Sequence, residues 1–201
     1  MSEVLHPETT GPDGFTTDRL RWHPWLPPLP VEEFEERHWQ GVVDPARAQN
    51  PYFALLARQP EILAARTQLD WDVFRNTEGG LPRAEREIAA TVASVVNGCV
   101  YCASVHARTA IAESGRDEDV HRLLDDGTDA ELDERWDALV DLVVALTRSP
   151  VDVPADLVSR FAELGLDDVA IADAIASGAF FSWANRLMLS LGEPSAPARR
   201  G

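Results

Sequence analysis

The chain contains 201 residues, 45% of them hydrophobic, and carries a formal net charge of −16. This length and apolar content predict one globular domain, and the scattered excess of acid argues against nucleic acid and anionic membranes as partners, because both bind clustered positive charge. All 18 basic residues are arginines, so chemistry that needs a lysine, such as Schiff-base formation, is excluded.

The compartment can also be predicted from composition. No apolar run is long enough to cross a bilayer, and residues 1–8 lack the basic region and apolar segment of a signal peptide. We therefore expect a cytoplasmic protein. In a reducing compartment, a close cysteine pair is more often catalytic or metal-binding than structural.

The sequence divides into three segments. Residues 1–30 are rich in proline and tryptophan and predict an extended arm whose aromatic side chains dock on a protein surface. Residues 31–194 predict an all-α domain, because helix formers dominate and strand-like alternation is rare. Residues 195–201 are expected to form a flexible tail. Helices are expected near residues 31–40, 51–58, 60–77, 82–96, 99–114, 117–125, 130–148, 154–163 and 167–191.

Both cysteines of the chain lie in the segment 97–106, Asn-Gly-Cys-Val-Tyr-Cys-Ala-Ser-Val-His. On a helix, the spacing of Cys99, Cys102 and His106 places all three side chains on one face. The N-terminus of a helix lowers the pKa of a nearby thiol, and an imidazole can accept the thiol proton. The segment therefore predicts a thiol redox site at a helix N-terminus.

Glu87 is the candidate fourth member of this site. It lies in the preceding predicted helix, and Asn97-Gly98 separates the two helices. A turn at this point can fold the second helix back, so that Glu87 faces the cysteines. The carboxylate would then orient His106 or take its proton, which completes a relay of carboxylate, imidazole and thiol.

Two arguments bear on which cysteine attacks a substrate. The helix dipole favours Cys99, which is nearest the start of the helix. The histidine favours Cys102, because helical side chains lean toward the N-terminus and bring His106 over Cys102. A hydrogen bond is stronger than a partly screened dipole, so we predict that Cys102 attacks and that Cys99 resolves the sulfenic acid to a disulfide.

Glu87, Cys99-Val-Tyr-Cys102 and His106 together resemble the Glu-x11-Cys-x2-Cys-x3-His signature of the alkylhydroperoxidase D-like branch of the carboxymuconolactone decarboxylase superfamily. The wider helical resemblance covers residues 50–192, and residues 181–194 are similar to the peroxidase-related subgroup. The resemblance implies an all-α bundle, homo-oligomers and thiol-dependent reduction of hydroperoxides, with a dithiol or lipoyl-type protein as reductant. It also implies that Cys102 is peroxidatic and Cys99 resolving, and no bound cofactor is expected.

Tyr101 departs from the family pattern, because the best-known members carry a histidine immediately before the second cysteine. A phenol with a pKa of about 10 does not act as a base at neutral pH. Proton transfer is therefore expected to depend on His106 and Glu87. The remaining histidines are expected at the surface: His6, His23, His38 and His121.

Three alternatives remain open for the cysteine pair. Two thiolates, an imidazole and a carboxylate can supply four zinc ligands, which would make this a zinc-stabilised interaction protein. The pair can also serve as a redox sensor that is oxidised once without turnover. Finally, two buried cysteines can simply fill space without chemistry.

Overall fold

The computed structural model describes residues 4–76 and 78–196, and helices form most of this part of the chain. The predicted all-α fold is confirmed. The helices are α1 (Glu36–Val42), α2 (Pro51–Leu56), α3 (Pro60–Arg75), α4 (Arg83–Asn97), α5 (Val100–Ser114), α6 (Asp117–Asp126), α7 (Glu134–Thr147), α8 (Ala155–Glu163) and α9 (Asp168–Leu191). Short 3₁₀ segments cover Val31–Glu33, Pro45–Gln49 and Gly127–Asp129, and two strands, β1 (Arg21–Pro24) and β2 (Gly192–Ser195), form one small sheet.

The helix starts follow from local sequence signals. The side chains of Asn50, Asp133 and Asp167 each accept a hydrogen bond from a backbone N–H in the first turn of the helix that follows. Prolines occupy the first position of α2 and of α3, where the missing N–H costs no helical hydrogen bond. These signals explain why most predicted boundaries agree with the observed ones to within a few residues.

α4 is the central helix of the bundle and packs against α5, α7 and α9. Its residues are buried continuously from Glu85 to Ser94. Three alanines, at positions 89, 90 and 93, are fully buried and allow the neighbouring helices to approach closely. Glu87 and the end of α4 therefore lie in the interior, next to α5 and α9.

The prediction of one helix over residues 31–40 is wrong. The segment forms a 3₁₀ turn over Val31–Glu33 and then α1, and Glu35 lies between them in an extended conformation. Glu35 caps α1: its backbone N–H donates to Nδ1 of His38 at 2.8 Å. His38 is consequently buried, which also corrects its predicted place at the surface.

The two chain ends pair with each other, which corrects the boundaries of the predicted arm and tail. β1 and β2 are antiparallel, with Trp22 opposite Pro194 and Arg21 opposite Ser195. Trp22 is buried, and a Cβ on Gly192 would collide with its indole ring, so glycine permits this approach. Ser195 thus belongs to the domain, and the rest of the predicted tail beyond residue 196 lies outside the described residues. No helix in the described ranges has the length and apolar character needed to cross a membrane.

Candidate active site

A tight turn between α4 and α5 positions the two cysteines. Gly98 ends α4 with a φ of 74°, a left-handed conformation that glycine adopts without a steric penalty. The N–H of Cys99 donates to the carbonyl oxygen of Ser94 at 2.8 Å, and Cys99 becomes the N-cap residue of α5. Cys102 follows in the first turn of that helix.

The two thiols lie within hydrogen-bond distance of each other, with 3.0 Å between their Sγ atoms. Both cysteines are buried and neither forms a disulfide. Hydrogen bonding with Cys102 lowers the pKa of Cys99 below that of an ordinary thiol. The same contact, followed by burial, raises the pKa of Cys102 well above its usual value. The pair therefore loses its first proton easily and retains the second.

Glu87 reaches His106 from the neighbouring helix. Its Oε2 lies 2.6 Å from Nδ1 of the imidazole, and both side chains are buried. The other carboxylate oxygen lies 3.5 Å from Nε of Arg83, which also pairs with Glu113 at 2.7 Å. Glu87 thus fixes the Nδ1 side of the ring and leaves Nε2 as the nitrogen that can exchange a proton in the site.

The expected hydrogen bond between His106 and Cys102 is not formed. Within residues 4–76 and 78–196, the hydrogen bond to Glu87 is the only one that the imidazole makes, so neither thiol contacts it in this way. Glu87 bonds to one edge of the imidazole ring. The aromatic rings of Phe181 and Phe74 pack against the imidazole, with their centroids 3.9 and 5.1 Å from the imidazole centroid. A proton passing between the imidazole and Cys102 therefore needs a bridging water or substrate atom.

A cavity of about 260 Å³ opens onto this site. Cys102 and His106 both line it, whereas Cys99 does not. Access to a substrate therefore favours Cys102, although the pKa of Cys99 is the lower one. The remaining lining residues come mainly from α2, α3, α5 and α9: Asn50, Tyr52, Phe53, Arg66, Asp70, Tyr101, Val105, Phe181, Ala184 and Met188.

Tyr101, the residue that replaces the family's histidine, lines the cavity but is unsuited to act as a base. Burial raises its pKa above the value of about 10 that is usual for a phenol. The side chain therefore stays protonated at neutral pH. The residue forms part of the cavity wall and is not a proton acceptor at that pH.

Arg66 and Tyr52 are cavity residues that sequence reasoning missed. Both are buried, with exposed fractions of 8% and 6%. The Nε and Nη1 atoms of Arg66 and the hydroxyl of Tyr52 have no hydrogen-bond partner among the described residues. Neither residue belongs to a sequence motif, because α2 and α3 lie far from the cysteines in sequence and only tertiary packing brings them to the cavity.

Asn185 of α9 is a third residue whose role sequence reasoning left unassigned. It is completely buried and within hydrogen-bond reach of both cysteines. The amide orientation that satisfies its neighbours lets its NH2 group donate to the carbonyl oxygens of Phe181 and Ala93, at 2.8 and 3.2 Å, while its oxygen accepts from the Ser94 hydroxyl at 3.0 Å. Asn185 therefore ties α9 to the end of α4 behind the thiols.

The zinc alternative has no geometric support in this site. In the described part of the chain, no group of three or more His, Cys, Asp or Glu side chains converges closely enough to hold one metal ion. Glu87 and His106 pair with each other, and the thiols pair with each other, as two separate contacts. Zinc binding would require both contacts to rearrange.

Known proteins share this fold. Residues 60–145 match the Carboxymuconolactone decarboxylase family. An uncharacterized peroxidase-related protein from Silicibacter sp. TM1040 is 25% identical, with 94% of this chain and 96% of that chain covered and a TM-score of 0.67. A peroxidase-related protein from Ralstonia eutropha JMP134, with an alkylhydroperoxidase AhpD core, is 20% identical over 93% and 92% of the two chains, with a TM-score of 0.71. The debrominase Bmp8 is 18% identical over 82% and 88%, with a TM-score of 0.62. No curated protein matches the sequence.

The chain has the all-α fold of these peroxidase-related proteins, one of which is described as an alkylhydroperoxidase AhpD core. Residues 60–145 carry the similarity to the carboxymuconolactone decarboxylase family, and the neighbours named as peroxidase-related share the fold of the whole chain. Both findings support the alkylhydroperoxidase D-like resemblance that the motif over residues 87–106 predicts.

Proposed function

We propose that this protein is a thiol-dependent peroxidase that reduces hydroperoxides through a dithiol–disulfide cycle of Cys102 and Cys99. Its superfamily and its peroxidase-related neighbours point to an enzyme-like, antioxidant-related role. The observation that carries the finer proposal is the position of Cys102. It lines the cavity together with His106, and its Sγ lies 3.0 Å from the Sγ of Cys99, which is outside the cavity.

The proposed cycle has two chemical steps. The Cys102 thiolate attacks the terminal oxygen of the hydroperoxide, the O–O bond breaks, and the products are a sulfenic acid and an alkoxide that takes up one proton. The Cys99 thiolate then attacks the sulfenic sulfur, and hydroxide leaves and is protonated to water. A disulfide needs an S–S distance of about 2.05 Å, so an approach of roughly 1 Å closes the bond. An external dithiol, such as a lipoyl-type protein, supplies two electrons and two protons to restore the thiols.

Both thiols take part in generating the nucleophilic thiolate. At their short separation, one proton can lie on either sulfur, and the remaining S–H stabilises the thiolate by a charge-assisted hydrogen bond. Cys99 holds the negative charge more easily, but the substrate meets Cys102. Transfer of the shared proton to Cys99 therefore generates the attacking thiolate at the cavity.

The Glu87–His106 pair is proposed to supply the proton that the leaving alkoxide requires. Nδ1 of His106 is engaged by Glu87, which stabilises the positive charge of the ring when Nε2 is protonated. A water or the substrate itself would connect Nε2 to the reacting oxygen. This arrangement compensates for the absence of a histidine at position 101.

The test is hydroperoxide-dependent disulfide formation and turnover with dihydrolipoamide as the reductant. Wild type should consume cumene hydroperoxide repeatedly, whereas Cys102→Ser should lose turnover by at least roughly a thousandfold because the nucleophile is gone. Equal rates in wild type and Cys102→Ser would refute the assignment.

Cys99→Ser is the matched control for that experiment. It retains the proposed attacking thiol, so one equivalent of hydroperoxide should be reduced, and dimedone should trap the sulfenic acid on Cys102. Trapping at Cys99 in the Cys102→Ser protein would reverse the two roles. One oxidation of wild type without turnover under every dithiol would instead favour the redox-sensor alternative.

Reductive debromination is the second candidate reaction. The neighbouring debrominase has been crystallised with 2,3,4-tribromopyrrole in a cysteine-to-alanine variant. The cavity of this chain has aromatic walls, formed by Tyr52, Phe53, Tyr101 and Phe181, which suit a flat ring. Release of bromide from tribromopyrrole at a rate above that of cumene hydroperoxide reduction would favour this reaction.

A homo-oligomer is part of the same proposal. Large apolar side chains of α3 and α9 are exposed in the single chain: Ile62, Leu69, Trp71, Trp183 and Leu189. Burial of such a surface between subunits removes it from water. Light scattering on the purified protein, which we propose to be cytoplasmic, measures the subunit number directly.

A further inference from the structure

One buried arginine, Arg66, lines the cavity beside Cys102, and it shares its carboxylate partner with Arg47, a half-buried residue outside the cavity lining. Arg66 and Arg47 both approach Oδ2 of Asp70, at 3.4 and 3.2 Å. In the described ranges, no other carboxylate lies within ion-pair distance of either guanidinium. Two cations against one anion leave one positive charge uncompensated, in a chain whose net charge is −16.

The donors of Arg66 are only partly used: Nη1 faces Oδ2 of Asp70 at 3.4 Å, outside hydrogen-bond geometry, and the guanidinium lies within hydrogen-bond reach of the Tyr52 side chain. The Nε and Nη1 atoms of Arg66 are buried and form no hydrogen bond of good geometry with the described residues, and neither does the hydroxyl of Tyr52. Burial raises the pKa of Tyr52 to about 12, so this hydroxyl stays protonated and can donate. The guanidinium lies 6.0 Å from the centre of the Tyr52 ring, so both groups belong to one end of the cavity.

A second buried arginine, Arg86, provides a comparison, because its guanidinium is fully hydrogen-bonded within the protein. Arg86 donates to the carbonyl oxygens of Leu81, Val73 and Gly79 at 2.6 to 3.0 Å and pairs with Asp173 at 2.9 Å. All its nitrogens are satisfied inside the protein. Buried polar groups are normally satisfied in this way, so the incompletely bonded guanidinium of Arg66, above all its Nε, calls for a ligand.

We propose that Arg66 and Tyr52 bind the carboxylate of a small, flat substrate whose reactive group then lies against Cys102. A carboxylate accepts two hydrogen bonds from a guanidinium and a further one from a hydroxyl, and its charge matches the uncompensated cation. The rings of Phe53 and Phe181 line the same cavity and cover an apolar ring. The volume of about 260 Å³ lies below the range of about 300–1,000 Å³ that is typical for drug-sized ligands, so the substrate is small.

This inference rests on the proposed function, because it names the substrate class for the thiol chemistry at Cys102. Its test does not need turnover, however. Binding of benzoate to the reduced protein is compared with binding of benzamide, its neutral counterpart of the same shape, by isothermal titration calorimetry. The binding test can therefore support or refute the carboxylate site whatever the result for hydroperoxide reduction.

Wild type should bind benzoate roughly 10- to 100-fold more tightly than benzamide, as expected for charge-assisted hydrogen bonds to a buried guanidinium. Arg66→Met should abolish this preference, and Arg66→Lys should keep part of it because the charge remains. Arg75→Met is the matched control: it removes an exposed arginine from the same helix and should bind both compounds as wild type does.

Tyr52→Phe keeps the aromatic wall and removes only the unused hydroxyl, so it tests the site without risk to the fold. Its benzoate affinity should fall several-fold, while its benzamide affinity stays unchanged. The proposal is overturned if wild type binds the two compounds equally or binds neither, or if Arg66→Met keeps the preference for benzoate. An unchanged benzoate affinity in Tyr52→Phe would remove Tyr52 from the site.

Discussion

The two sides of the cavity differ in how completely their polar groups are satisfied. On the side of α4 and α5, the thiols bond to each other and Glu87 bonds to His106. On the side of α2 and α3, the hydroxyl of Tyr52 and two nitrogens of Arg66 form no hydrogen bond of good geometry with the described residues, although Nη1 of Arg66 lies 3.4 Å from Asp70. We propose that the first side carries the chemistry and that a ligand completes the second. Mutation of a satisfied buried group should therefore cost much more stability than mutation of an unsatisfied one.

The largest expected difference is between the two buried arginines. Arg86→Met should lower the free energy of unfolding by about 3–5 kcal/mol, because it removes the donor of three backbone carbonyls and the charged partner of Asp173. Arg66→Met should change it by less than about 1 kcal/mol, because Arg47 still pairs with Asp70. Urea denaturation measures both values, and a larger loss for Arg66→Met than for Arg86→Met would contradict the comparison.

On the chemical side, Glu87→Gln should lower the peroxidase rate by roughly 10- to 100-fold, because a neutral amide no longer stabilises the protonated imidazole. Glu113→Gln is the matched control, since Glu113 pairs with the same Arg83 but does not contact His106. The rate constant for release of the alkoxide as the alcohol product is measured at neutral pH and compared between the two variants. Equal losses in the two variants would show that the effect comes through Arg83 and not through the imidazole.

The thiol pair should titrate in two well-separated steps. As pH rises, the first thiolate should form below the pKa of about 8.5 that a free thiol shows, and the second should form well above it. Cys102→Ala removes the hydrogen bond but not the burial, so the pKa of Cys99 should rise and its thiolate population at neutral pH should fall roughly tenfold or more. Ultraviolet absorbance of the thiolate follows both titrations. An unchanged first step in Cys102→Ala would mean that the thiol contact has no electrostatic effect.

The smallest expected effect belongs to Tyr52→Phe. Because the hydroxyl has no partner in the described structure, its removal should change the free energy of unfolding by no more than about 0.5 kcal/mol, or stabilise the protein slightly. Thermal unfolding without a ligand measures this. A loss above about 1 kcal/mol would show that the hydroxyl is already satisfied and would weaken the contrast between the two sides.

The helical fold was largely predictable because its signals are local. Asn50, Asp133 and Asp167 mark helix starts by the hydrogen bonds that they accept, and Gly98 marks the end of α4 by its backbone conformation. The strand pair of β1 and β2 was not predicted, since it joins segments about 170 residues apart and depends on a close approach at Gly192. Glu35 likewise interrupts a helix-like pattern through a cap that sequence periodicity does not reveal.

The sequence by itself determined the reactive half of the site, because the residues from Glu87 to His106 form one helix–turn–helix unit whose spacing brings their side chains together. Tertiary structure decided the rest. It held His106 between Glu87 and Phe181, away from hydrogen-bond contact with the thiols, and it gave Cys102 but not Cys99 a place in the cavity. It also brought Arg66 and Tyr52 to the opposite wall. Contacts within one helix–turn–helix unit are set by helical geometry. Contacts between helices that are distant in sequence depend on how the whole core packs.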